Sequence, residues 1–491
     1  MEYTALPCFQ PNMRLYTSPY DRVWSNRSMM VHTTAVRRWL VYGLMTASFA
    51  AAVLLKGGLD PSQWQWSALG ISLAAALAVW PGPRWDRTPA EPFGFGIMVL
   101  LLVWMLFQIT PLSPTLLSHI APMRWHALEE ARTATGHDAG SWAALSAAPA
   151  ASFGRLLDIL PAMAAFVAAR EMAWWWRDRI SIAFAPVVLI AWIDSLVGLL
   201  QFYFARENSA GSGGITSPAG TYGYHNHFAG LLEIALPIAV MWAAWAWKKG
   251  TWRNQQGLGP AVESAALLAV ATCLLLGIVA SLSRMGFVST IAAGCLTSFL
   301  VLASRRASPR PDRGTPRWLW SGPVVLLTIV ALVILPPKQL IARFTELAEE
   351  QDFTQDSRAQ IWADTTRLIA SAPWIGVGVG AYEHGLYPFK TSMPLRTVNY
   401  AHNDYLQFLS ELGIVGTALM GGLTLWVLAK VGAIAVWLRA SPNWEFAVGL
   451  LGTFLTLGFH SLADFNFYLP ANALALAWLA GLAVSPGLKG R

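Results

Sequence analysis

Charge is scarce in this chain. Asp, Glu, Lys and Arg make up 12% of its 491 residues, about half the share of an average soluble domain. With 55% of the residues hydrophobic, a water-soluble core is the wrong expectation. Cysteine is nearly absent too: Cys273 and Cys295 fall inside apolar runs and Cys8 precedes the first of them, so no disulfide framework is expected. The first 30 residues lack a continuous apolar core, which argues against a cleavable signal peptide or an anchor there. They fit a disordered tail, or an over-extended start upstream of Met29 or Met30. No phosphate-binding loop for ATP is found, nor an Asp-x-Asp motif of a metal-dependent sugar-nucleotide transferase in an outer loop. Any reaction must therefore draw on an already activated donor. The net charge is +7, yet the basic residues are scattered over short connections and form no groove-lining stripe. Nucleic acid is not an expected partner.

What the chain has is long apolar runs. A helix crosses the hydrocarbon layer with roughly 20 apolar residues, and the runs lack the alternation of barrel strands. The expected fold is all-α: a polytopic integral membrane protein of about 12 transmembrane helices, in contact with membrane lipids. The spans are placed near residues 39–55, 64–80, 93–110, 151–169, 180–204, 228–247, 265–283, 286–303, 319–335, 404–429 with an extension to 438, 444–460 and 468–485. Cytoplasmic connections carry an excess of Lys and Arg. With both termini inside, 22 of the 34 basic residues are cytoplasmic and 12 lie elsewhere, the inner set concentrating at Arg37 and Arg38, Arg84 and Arg87, Lys248 and Lys249, and Arg305 to Arg317. The division that follows is a cytoplasmic tail 1–36, spans one to nine over 37–335, a large outer loop 336–403, spans ten to twelve over 404–486 and a cytoplasmic tail 487–491.

Three outer segments, 111–150, 205–227 and 336–403, are too long for simple turns, and such loops are usually functional or disordered. The third has helix signals. Asp356-Ser357 starts a segment with Ile361, Trp362, Thr365, Leu368 and Ile369 on one side, ending at Ala372-Pro373, which reads as an amphipathic helix on or near the outer membrane surface. Glycines alternate in Trp374-Ile375-Gly376-Val377-Gly378-Val379-Gly380, a pattern that allows tight turns and close approach of a ligand or simply a flexible connection.

The strongest constellation is Tyr400-Ala401-His402-Asn403-Asp404-Tyr405-Leu406, where the large loop enters the tenth span. Asn403 or Asp404 suits the N-cap, leaving His402 beside the positive end of a helix dipole. A neutral imidazole there could accept a proton from a sugar hydroxyl; an interfacial His that only bonds the loop is the plainer alternative. Arg284 interrupts an apolar hairpin at its outer tip. A diphosphate would satisfy its guanidinium through paired hydrogen bonds, and snorkelling to headgroups is the competing account. Arg206 opens the second outer loop, and Arg358 and Arg367 lie on the loop helix, each alone reading as a headgroup contact. His225-Asn226-His227 enters the sixth span. Two histidines at i and i+2 could ligate metal, but no acid or cysteine is near in sequence, so a polar lip for a glycan is preferred and no metal or other cofactor is expected. Asp158, Asp194 and Glu233 fall within spans and are expected to pair inside the bundle or relay protons. The closing hairpin carries His460 and Asp464 at its outer edge.

His402-Asn403, nine residues, then Gly413-Ile414-Val415-Gly416 reads H-N-x9-G-x-x-G. This resembles the signature of the O-antigen ligase and polymerase superfamily. The resemblance extends to Arg284, to Arg358-Ala359-Gln360-Ile361-Trp362 with the following Gly-rich run, and to Asp464, over about residues 200 to 475. It implies a bacterial inner-membrane glycosyltransferase with a periplasmic site and an undecaprenyl diphosphate-linked glycan donor. The acceptor would be lipid A-core, another carrier-linked glycan or a protein hydroxyl, with the O-antigen ligase type first. By the family's motif His402 is the base and Arg284 a diphosphate contact. Arg206, Arg358, His225, Asn226, Asn403 and Asp464 are expected to bind diphosphate or glycan. A secondary transporter or lipid-linked sugar flippase is the alternative class. Transporters place their decisive polar groups near the midplane, whereas here they gather at the outer edge and no repeat relates the two halves.

Overall fold

The computed structural model of the protein describes residues 19–81, 86–136, 141–208, 217–252, 258–307, 353–391, 397–438 and 441–490. The chain runs through helices α1 Pro19–Leu54, α2 Pro61–Val79, α3 Pro92–Ile109, α4 Pro114–Ile120, α5 Pro122–Thr135, α6 Pro149–Trp175, α7 Ser181–Asn208, α8 His225–Trp252, α9 Gly259–Ala280 and α10 Arg284–Ala307. After the segment outside the described residues come α11 Phe353–Ser371, α12 Tyr382–Leu386, α13 Asp404–Trp437, α14 Trp444–His460 and α15 Pro470–Val484. Two short strands, Pro111–Leu112 and Ala143–Ala144, pair antiparallel in the loop that holds α4 and α5. Proline opens α2 to α6, and α15, at the first turn, where its missing N–H has no partner to lose.

Seven of these helices are long and apolar enough to cross a membrane: α3, α6, α7 to Phe204, α8 to Lys249, α9, α10 to Ala303 and α13. The protein is a multi-pass membrane protein. The twelve expected spans are matched only in part. Eleven fall on helices, but α1 and α2 are not among the seven, and α14 and α15 are short, at 17 and 15 residues. The ninth expected span, 319–335, lies outside the described residues. α8 is the most enclosed, with 67% of its apolar stretch buried against 22% for α10. It packs on α9 and α14, while α15 packs on α6 and α13 on α3. Phe228, Leu231, Leu232, Ile234, Ala235 and Ile238 of α8 have no exposed surface.

At one end of the bundle carboxylates hold basic residues. Arg37 and Arg38 both bond Asp86, Lys248 meets Glu445 at 2.8 Å and Lys430 meets Glu91 at 2.9 Å. The opposite end carries the N-terminus of α8, the α9–α10 turn, the α11–α13 segment and the α14–α15 turn. There α11 departs from the expected surface helix. Its apolar residues Ile361 and Leu368 are buried under Tyr382, Leu386, Val398 and Ala401, so the returning loop, rather than lipid, covers this face.

Candidate functional site

The site begins with a break in α13. Gly413 has φ 64° and ψ −175° inside the helix, a conformation only glycine holds without strain. The break frees carbonyls before it and amides after it, and the Gly-rich run takes them up. Val377 N donates to Ser410 O at 2.9 Å and Gly378 N to Glu411 O at 3.0 Å; Ile414 N donates to Pro373 O at 2.8 Å and Val415 N to Trp374 O at 3.2 Å. Gln108 of α3 closes the junction, its amide donating to Ile375 O and Glu411 O and accepting from Val379 N. The close approach that the alternating glycines permit is therefore to the backbone of α13. A Cβ on Gly413 would run into the Trp374 carbonyl and stand 2.5 Å from the amide nitrogens of Ile375 and Gly376. Gly416 lies one turn on, against the Trp104 ring.

At the head of the same helix Asn403 is the N-cap. Its Oδ1 accepts from Tyr405 N and Leu406 N, and its Nδ2 donates to Leu462 O at 2.8 Å. Ala401 is clamped from both sides, its carbonyl accepting from Trp362 Nε1 of α11 and its amide donating to Gln407 Oε1. His402 between them is forced to φ 52°, a left-handed value that costs a non-glycine residue about 1 kcal/mol or more and persists only where neighbours over-determine it. Its imidazole is half-buried, and Nδ1 has no hydrogen-bond partner among the described residues. Burial pulls this imidazole below the ordinary histidine value; the Asp464 carboxylate opposes that pull and the Arg358 charge reinforces it. The ring is therefore neutral at pH 7, with lone-pair capacity for a proton.

Phe465 joins the scattered segments. The His402 and His227 rings meet it edge-on at 5.0 Å and 4.7 Å, and Tyr400 stacks on it at 4.2 Å. The N-termini of α8 and α13 thus converge on one aromatic ring in the α14–α15 turn. His225 is half-buried, with its ring 4.7 Å from that of Tyr224, and buried Asn226 donates to Tyr224 Oη at 3.2 Å. Asp464 is 1% exposed and faces His460 Nε2 at 3.6 Å and His227 Nε2 at 4.0 Å. Burial alone would push its carboxyl up, but the nearby charge of His460, the charge of His227 and the hydrogen bond its Oδ1 accepts from Phe465 N hold it well below the usual carboxylate range.

Arg284 is the first residue of α10 and is half-buried, with no hydrogen bond or ion pair among the described residues. The turn before it is tight, with Leu282 at φ 57° and Ser283 Oγ accepting from Gly286 N at 3.2 Å. A guanidinium at the positive end of a helix dipole is repelled by its own helix, an arrangement that an anion relieves. Arg358 on α11 lies within electrostatic reach of His402. Arg367 is paired with Asp364. Arg206 lies near the end of α7, and its side chain is outside the described residues.

Among the acids expected to pair within the bundle, Asp158 accepts from Trp64 Nε1 at 2.9 Å, Asp194 from Thr221 N at 2.7 Å, and Glu233 contacts His460 and Ser289. The residues that sequence reasoning passed over are Arg155, Glu411 and Tyr468. Glu411 is fully buried and accepts from Gly380 N, Tyr468 Oη and Gln407 Nε2. Arg155 lies over the Tyr468 ring at 4.5 Å and donates to its carbonyl at 3.3 Å, reaching Tyr400 Oη at 3.5 Å. The available signal was an arginine and a glutamate inside apolar spans. No group of three or more His, Cys, Asp or Glu suited to a metal occurs among the described residues.

No curated protein matches the chain. Residues 267–421 match the family described as O-antigen ligase, a stretch that runs from α9 into α13 and contains Arg284, Arg358, His402, Gly413 and Gly416. Over that stretch the chain is similar to the O-antigen ligase and polymerase superfamily.

Proposed function

We propose that the protein is a glycosyltransferase of the bacterial inner membrane, with both termini cytoplasmic and a periplasmic site, moving a glycan from undecaprenyl diphosphate to an acceptor hydroxyl. The observation that carries this reading is His402: a neutral, half-buried imidazole with a nitrogen that has no partner among the described residues, held in a strained backbone at a helix head within the family-matching stretch. In the reaction the acceptor oxygen forms a bond to the anomeric carbon while the bond from that carbon to the diphosphate oxygen breaks. The acceptor proton goes to His402, and the electron pair leaves with the diphosphate. Charge grows on the leaving group, and fixed cations stabilise it better than water does. Arg284, with no partner among the described residues to give up, supplies this cation, Arg358 adds a second, and Arg206 is proposed as a third. A diphosphate so held needs no metal. The N-terminus of α8, with His225 and Asn226, forms the polar lip for the glycan, while Asn403 and Asp464 act from below by fixing the turn.

A single displacement inverts the anomeric configuration. The acceptor we favour is lipid A-core, as in an O-antigen ligase; a second carrier-linked glycan or a protein hydroxyl are the other acceptors of the superfamily. The test is transfer from a polyprenyl diphosphate-linked oligosaccharide in proteoliposomes, offered each acceptor in turn, with wild type, His402→Ala and Arg284→Ala. General-base removal is expected to cost about 10²- to 10⁴-fold in rate. Transfer at the wild-type rate by both variants, or a product with retained configuration, would overturn the assignment.

A further inference from the structure

Two buried ionisable side chains that have no part in the steps above, His460 and Glu233, form a row with Asp464 next to Phe465. His460, with no exposed surface, ends α14 between two carboxylates. Its Nδ1 is 3.0 Å from both oxygens of Glu233 on α8, and its Nε2 is 3.6 Å from Asp464 Oδ2. Glu233 is equally buried and accepts a 2.8 Å hydrogen bond from Ser289 Oγ of α10. A Cβ on Gly286 would stand 2.7 Å from the other Glu233 oxygen, so α10 and α8 touch through this carboxylate. Ser289 follows Arg284 on the same helix, about 7.5 Å further along at 1.5 Å per residue. At the other end of the row, Asp464 precedes Phe465 and its charge bears on His402. Asp404, under the head of α13, is tied to the same turn through Ser461 Oγ at 2.8 Å.

We infer that His460 is a positioning residue: clamped between Glu233 and Asp464, it holds the Asp464 carboxylate toward His402 and links that carboxylate, through Glu233 and Ser289, to the helix that opens with Arg284. The inference rests on the reading of His402 as base. Two carboxylates buried this close need a cationic partner, because an unpaired buried charge is costly. Without His460 one of them takes up a proton, and Asp464 then no longer attracts the imidazolium that forms as His402 accepts the acceptor proton. The row also makes the contact geometry of the base and that of the diphosphate arginine parts of one connected structure.

The test uses the full-length protein in proteoliposomes with a fluorescent polyprenyl diphosphate-linked oligosaccharide and the preferred acceptor. His460→Gln removes the imidazole. Glu233→Gln keeps the shape but removes the charge that holds His460, and it serves if the first variant does not fold. For either, kcat is expected to fall about 10- to 100-fold, a fraction of the general-base effect, with donor KM within about threefold. The acid limb of the kcat/KM profile should also move to lower pH. The groups that face His402 and shape that limb are Asp464, Arg358 and His227; the first raises the His402 pKa, so its neutralisation lowers the limb. A merely structural role reduces the rate equally at every pH, and that result, or a folded variant with wild-type kcat and limb, overturns the inference. If His402→Ala retains transfer, the base assignment has failed instead. If His402→Ala is inactive while both other variants behave as wild type, only the role of His460 has.

Discussion

Gly413→Ala is the perturbation whose effect the structure specifies most fully. The residue sits at φ 64°, ψ −175°, in a region that costs a residue with a Cβ of order 1–3 kcal/mol. Space is the second cost. The added carbon would stand 2.5 Å from the amides of Ile375 and Gly376, and both belong to backbone, so relief requires the 373–378 segment to move. That movement loosens the four backbone hydrogen bonds between this segment and the break. Leaving even one buried amide unpaired costs about 1–3 kcal/mol, so the sum is roughly 2–6 kcal/mol, a large part of a typical stability. Gly421 provides the control. It lies in the same helix with nothing within 4 Å of its Cβ position, and alanine there is expected to be neutral or to stabilise by up to about 1 kcal/mol. Thermal unfolding of the two variants in one detergent, followed by tryptophan fluorescence and by gel filtration after heating, separates them. A Gly413→Ala protein as stable as Gly421→Ala would refute the account of the break as a backbone-to-backbone junction.

Further outcomes follow from the same geometry. Gln108→Leu removes an amide that serves three backbone groups at 2.7, 2.9 and 3.1 Å, and it is expected to destabilise by about 2–4 kcal/mol in the same melts. Lys248→Ala leaves Glu445, whose side chain is fully buried, without its cation, an expected loss of about 3–5 kcal/mol; Lys248→Ala with Glu445→Gln should recover much of it in a double-mutant cycle. The pH profile of transfer tests His402. Because burial holds its folded value below the ordinary 6.5, the base stays neutral and active at pH 6.5 and loses activity only as pH falls through the lower folded value. The same shift has a stability consequence of fixed sign: the unfolded chain takes the proton first, so this group destabilises the fold as pH drops below 6.5, and His402→Gln should flatten that slope in pH-dependent melts. Arg284→Lys keeps charge but loses the planar fork, and it is expected to retain transfer at about a tenth of the rate or less.

The membrane character and the positions of eleven helices were legible in the apolar runs, because the period and length of such runs depend on the chain alone. The number that qualify as crossings was not: α1 and α2 fall outside the seven as well as α14 and α15, and the last two are short, with their burial decided by α6, α8 and α10 around them. His402 and its cap were readable from local chemistry: a cap residue needs only the helix it opens. The Gly-rich run was misread in one respect, because nothing in Gly376 to Gly380 says that the body approaching closely is a helix broken 33 residues later at Gly413. Arg155 and Glu411 were hidden by the hydrophobicity of the runs around them. His460 and Glu233, distant in sequence, meet only through the packing of α8 on α14, a long-range fact with no local signature beyond their each being polar in an apolar setting.

His402 and Gly413 are both left-handed, and eleven positions separate them. They bracket the first helical stretch of α13, the nine residues from Asp404 to Leu412, about two and a half turns, with His402 against Phe465 at one end and Gly413 against the strap of residues 373–378 at the other. Each residue added to or removed from the interval would rotate one point by about 100° relative to the other. The nine unspecified residues of the motif are therefore a phase setting for the helix: their number is constrained even where their identities are free. A one-residue deletion between Asp404 and Leu412 should unseat either the histidine or the strap, however conservative the residue removed.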